Sequence, residues 1–347
     1  MYSGYRGVAM LRLAVAALFL ASTLTAALVA GDDDAPEPLP PEAVTSTIIP
    51  STTTSEPLPP TTATTEAPPV TVPAPVVAKV VVSPTGVVLP VLGRDGDTFQ
   101  VTTPCGVKAT VQGGTPIGAA AVVLDAGHGG QEPGAIGPNG LQEKGLNLAV
   151  TNHAKAALEA GGYAVVLTRT GDYRMTLEAR ARVVAALAPK AFVSIHHNAE
   201  PDGPRPQGPG TETYYQVASS DSKRLSGIIY EEVVKALSAY PVAWVADTDA
   251  GAKYRQNDRG DDYYGIIRRT QGVPSSLAEL AFISNPPEAD LLTRADVQKV
   301  EGEAVARGII RYLTTKDPGS GYVTPYPRNS PAGTGGGPAR NCVDPAF

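Results

Sequence analysis

The chain has 347 residues, 42% of them hydrophobic, which suffices for one large domain or two unequal ones with a real core. Its formal net charge of −6 excludes the basic surface that nucleic-acid binding needs, so no nucleic-acid partner is expected. With 36 glycines and 33 prolines, part of the length is expected to lie outside any compact fold.

Arg6 and Arg12 precede the apolar run "LAVAALFLASTLTAALVAG", so residues 1–31 are expected to be a signal peptide or a membrane anchor. The small residues Val29, Ala30 and Gly31 favour cleavage, and the chain is expected to be exported, extracellular or in the cell envelope. Cys105 and Cys342 are then thiols in an oxidising place, and one bridge between them is expected. Residues 32–78 are a Pro/Thr-rich linker with almost no core-forming residues. In 79–118 the runs "KVVV", "GVVLPVL", "TFQVTT" and "VKATV", with the turn signal "GRDGD", predict a small β module.

Strands and helices alternate over 119–315. Strands are predicted at 121–125, 164–169, 191–196, 211–216 and 275–283, with helices following "LQE" and at 176–188, 221–239 and 295–313. "DDYYGIIRRTQ" also reads as helical. The fold class is therefore α/β, a largely parallel twisted sheet with helices on both faces, preceded by a small β module. Residues 316–347 form a Gly/Pro-rich tail, expected to be mobile.

In an open α/β sheet the chemistry sits beyond the carboxyl ends of the strands. His128 lies three residues after one strand, His196 ends another, and Glu143 stands where the "GPNGLQ" loop turns into a helix. Two imidazoles and one carboxylate form a common catalytic zinc set with a fourth place open to water. Gly127, Gly129 and Gly130 let the backbone bend tightly around the first ligand. Taken alone, Glu143 reads as well as a helix-start carboxylate favoured by the dipole. Glu279 is a carboxylate inside the apolar run "LAELAFISN", costly to bury without a task and suited to be a general base. Asn198 and His197 adjoin the site as candidate substrate contacts.

"LDAGHGGQEPGAIGPNGLQEKGLNLAV", "VVLTRTGDYRMTLEARARVVAAL", "FVSIHHNA" and "LAELAFISNPPEADLL" together resemble the zinc-dependent N-acetylmuramoyl-L-alanine amidases, over about Val122 to Leu313. The resemblance implies one zinc ion held by His128, Glu143 and His196, with Glu279 as the catalytic carboxylate. It implies hydrolysis of the amide between N-acetylmuramic acid and L-alanine in bacterial peptidoglycan, for wall remodelling or cell separation. Glu279 would take a proton from the attacking water and hand it to the leaving nitrogen. Ala126, Ala281 and His197 depart from the usual proline, glycine and alanine. Because successive strand residues point to opposite faces, only one of His196 and His197 should reach the metal; the resemblance selects His196. The alternatives are a zinc peptidase cutting within the stem peptide and a non-catalytic peptidoglycan-binding protein.

Further expectations concern the surroundings. Arg169 and Arg180 should form structural pairs within the domain, and Trp244 should pack at the surface rather than stack on sugar. Arg259 or Arg268 is the candidate second electrophile. Residues 200–212 and 240–264 should rim the groove, without a long helix to plug it. A monomer is favoured.

Overall fold

The computed structural model describes residues 77–203, 207–325 and 341–347. The expected signal or anchor, and all but the last two residues of the expected linker, lie outside the described residues. Among the described residues no helix is long and apolar enough to cross a membrane.

The first strands are β1 (Val80–Val82), β2 (Val88–Asp95), β3 (Thr98–Thr102), β4 (Lys108–Gln112) and β5 (Thr115–Ile117). They form one antiparallel sheet in the order β4-β3-β2-β1-β5. The expected hairpin turn is present: Asp95 faces Thr98, with Gly96 at φ +57° between them. Val80, Val81, Leu89, Phe99 and Val101 are buried.

The second sheet comprises β6 (Val122–Ala126), β7 (Val165–Leu167), β8 (Ala191–Asn198), β9 (Glu212–Tyr215), β10 (Ala252–Lys253) and β11 (Ser275–Phe282), in the order β10-β9-β11-β8-β6-β7. Its pairings are parallel except β9 with β11. The helices are α1 (Glu143–Ala160), α2 (Leu177–Leu187), α3 (Ser220–Leu237), α4 (Gly265–Arg269), α5 (Pro286–Leu292) and α6 (Ala295–Thr314). Thr176 starts α2 and Ser219 starts α3, each hydroxyl accepting from the backbone N–H three residues on.

Strand alternation divides the core in two. Val122 and Leu124 of β6, with Val193 and Ile195 of β8, face α1, α3 and α6. Val123 and Phe192 face α2, α4 and the small sheet in a second continuous core. The β module thus shares its core with the α/β layers.

Three differences from the expectations have physical causes. The helix expected across "DDYYGIIRRTQ" shrinks to Gly265–Arg269, because Asp262 is bridged to Gln256 and the Tyr263 N–H is given to the Arg255 carbonyl, which holds that backbone outside the helix. The tail is not loose throughout. Residues 321 and 323 exchange backbone hydrogen bonds with Ala252, and Cys342 is bonded to Cys105. Trp244 is 3% exposed within the α1/α3/α6 core, so it neither packs at the surface nor meets a sugar.

Candidate active site

β6 and β8 lie side by side and parallel, so their carboxyl ends open on one edge. His128 follows β6 by two residues with φ +62°, a left-handed conformation strained for a side chain with a Cβ. Its carbonyl accepts from Arg180 Nη2 at 2.5 Å, and that of Ala126 accepts from Arg180 Nη1 at 2.6 Å. Arg169, fully buried, donates to the carbonyls of Ala126, Gly127, Lys144 and Gly171. Two arginines therefore clamp the backbone that carries His128. Arg180 meets the buried Asp125 carboxylate at 2.5 Å, whereas the partners of Arg169 are backbone carbonyls. Burial, then the Arg180 charge, lowers the Arg169 pKa to about 10. Burial would raise Asp125, but Arg180 and hydrogen bonds from Ser194 and Thr168 hold it below its usual value.

Glu143 opens α1, and its two oxygens face the two imidazoles. Oε2 lies 3.1 Å from His128 Nε2 and Oε1 lies 3.0 Å from His196 Nδ1. The Ala135 N–H donates to Oε2 at 2.8 Å, and Asn147 Nδ2 to Oε1 at 3.1 Å. Burial would raise this carboxyl, but the hydrogen bonds and charges of His128 and His196 hold it well below its usual value. The two rings meet edge to face, centroids 5.0 Å apart. Glycine is required here for room as well as bend. A Cβ on Gly127 would lie 2.1 Å from His196 Cε1, and one on Gly134 would lie 2.3 Å from Glu143 Oε2.

β11 places Glu279 opposite His196 in register. Both side chains line the same cleft of about 220 Å³. Met175, Leu177, Tyr264, Ile266 and Leu277 supply its apolar wall. Glu279 Oε2 is buried and has no hydrogen-bond partner among the described residues. Burial first, then the charges of Glu143, Glu212 and Asp247, push its carboxyl well above the usual range. A carboxyl so placed can accept and return a proton.

The donor set passes a chemical test for zinc. One atom each from His128, Glu143 and His196 lies within 4.8 Å of the others, and imidazole nitrogens with a carboxylate oxygen are the ligands zinc takes. A second acidic grouping, Glu212, Asp247 and Asp249, contains a cation of the chain's own. Lys253 Nζ lies 2.6 Å from Glu212 and 2.5 Å from Asp249.

The expected substrate contacts need correction. The His197 side chain is 0% exposed on the opposite face of β8, between Asn147 and Glu301, and does not enter the cleft. Asn198 Nδ2 is turned to Glu212 Oε2 at 3.0 Å, where Tyr214 OH also donates. Burial pushes Glu212 up to about 7 against Lys253 and Tyr214. The sequence reading missed this group, though "TETYYQ" carries an acid within an apolar-aromatic run, the same signal that singled out Glu279. Arg259 is 70% exposed beside Asp261, and Arg268 is tied to two carbonyls; neither lines the cleft. Residues 240–264 contain no long helix, as expected, and Tyr264 of that stretch reaches the cleft.

A family model described as N-acetylmuramoyl-L-alanine amidase matches residues 122–311, more than half of the chain. The chain belongs to that family. The amidase domain so defined holds all four residues of the candidate site. The chain is 36% identical to the uncharacterized protein YqiI of Bacillus subtilis over 214 residues, 60% of this chain and 94% of that one. It is 30% identical to the N-acetylmuramoyl-L-alanine amidase AmiC of Neisseria meningitidis over 251 residues, 64% of this chain and 58% of that one. Among solved structures, Cwp6 from Clostridium difficile superposes with a TM-score of 0.50 at 31% identity, covering 56% of this chain and 30% of that one.

Proposed function

We propose that this amidase is an exported, zinc-dependent hydrolase that cuts the amide between N-acetylmuramic acid and L-alanine in peptidoglycan, in wall remodelling or cell separation. One observation carries the reading. His128, Glu143 and His196 converge at the edge of the same cleft into which β11 delivers Glu279, whose Oε2 has no partner among the described residues.

His128, Glu143 and His196 would hold the zinc, which when bound supplies a Lewis acid that acidifies water and polarises the amide carbonyl. Glu279 takes the proton of the attacking water and returns it to the alanine nitrogen as the carbon–nitrogen bond breaks. Its buried setting suits both steps, since a carboxyl above its usual pKa is a stronger base and is readily reprotonated. The arginine clamp keeps the His128 loop in its strained conformation before substrate arrives.

Mass analysis of purified wall after digestion tests the reading. Release of stem peptides bearing a free L-alanine amine is expected. Cleavage within the stem peptide would replace it with the peptidase alternative, and undigested wall would favour a binding protein.

A further inference from the structure

Glu143 is held from behind as well as from the cleft. Asn147, one helical turn along α1 and 0% exposed, donates from Nδ2 to Glu143 Oε1 at 3.1 Å and to the Gly127 carbonyl at 3.4 Å. Both of those partners are acceptors, so the amide nitrogen must face them and Oδ1 must point the other way. Oδ1 meets His197 Nδ1 at 2.8 Å. An amide oxygen only accepts, so Nδ1 carries the proton. The far nitrogen, Nε2, then faces Glu301 Oε1 of α6 at 3.3 Å. The backbone N–H of His197 also donates to Glu143 Oε1, at 3.3 Å. One buried chain thus runs from α6 through His197 and Asn147 to Glu143.

The helices are packed to permit it. A Cβ on Gly302, beside Glu301, would lie 2.5 Å from the Val150 carbonyl, so α6 approaches α1 as closely as backbone allows. The side chains of His197 and Glu301 are both 0% exposed. Glu301 Oε2 has no hydrogen-bond partner among the described residues. Burying two ionisable groups with an oxygen left over is a poor route to stability, since an apolar pair of similar volume is often as stable or more so. Stability therefore does not account for the pair.

We propose that the His197–Glu301 pair is a positioning element for Glu143: it fixes the orientation of the Asn147 amide and so holds the carboxylate toward His128 and His196. The inference rests on the zinc reading above. Outer partners of this kind commonly change metal affinity about 10- to 100-fold when removed.

The test is the zinc dissociation constant of the full chain, measured by competition with a chromogenic chelator. The variant is the double substitution His197→Leu with Glu301→Leu, which removes both ionisable groups at similar volume and leaves no buried charge unpaired. It is expected to melt near the wild-type temperature yet bind zinc about tenfold more weakly. Should the double variant not fold, Glu301→Leu alone carries the same comparison, with an expected loss of about threefold. Unchanged affinity in the variant measured overturns the positioning role and leaves the zinc reading intact. A wild-type chain that binds no zinc overturns the zinc reading, and this inference with it.

Discussion

The two faces of β8 at its carboxyl end show two ways of burying polar groups. On the cleft side, His196 and Glu279 adjoin a space of about 220 Å³, and Glu279 Oε2 lacks a partner. On the helix side, His197, Asn147 and Glu301 are closed in by α1 and α6 and bonded in series. Adjacent residues of one strand have opposite fates because strand side chains alternate. The cleft face is open; the closed face reaches Glu143 from behind through Asn147 and the His197 N–H.

That contrast can be broken from either side, and the largest effects should come from the cleft. Glu143→Ala removes the group that both imidazoles approach, and should abolish zinc retention and wall digestion together. Metal analysis beside a turbidity assay reads both. Next comes the clamp beneath the cleft. Arg180→Met strands the buried Asp125 carboxylate and should destabilise the fold by about 3–5 kcal/mol, measured by urea unfolding.

Away from both faces, the Cys105–Cys342 bridge joins the last residues to the β module. There the Thr85 hydroxyl donates to the Ala346 carbonyl, and the Cys105 N–H to Asp344. Cys342→Ser should cost about 2–4 kcal/mol of stability while sparing turnover of folded enzyme. The smallest effect is acid sensitivity. Asp125 is held below its unfolded value of 3.8, so its share of stability is complete above that pH and lost as pH falls through the folded value. Asp125→Asn should therefore flatten the acid limb of a stability–pH curve below about pH 4.

Much of the architecture was legible because periodicity and punctuation agreed. The apolar spacing of α3 and α6 located both helices within two residues of their ends. The candidate site was legible because His128, the His196–His197 pair and Glu279 stand at strand ends or inside an apolar run, whereas the choice of His196 and of Glu143 came from the resemblance. The direction of β9 was not legible, since its apolar-aromatic run looks the same in either sense. Nor was the short helix α5, which begins with two prolines. His197 and Asn198 were misplaced for a different reason. Their neighbourhood to His196 is sequential, whereas their partners Glu301 and Glu212 come from distant segments that only the fold brings together.

Zinc content and turnover, measured on the same preparations of wild type and Glu279→Gln, test the central claim most directly. The account predicts one zinc per chain in both proteins, with turnover reduced about 10²- to 10⁴-fold in the variant. A zinc-free wild type that still digests wall, or a Glu279→Gln variant as active as wild type, would contradict it.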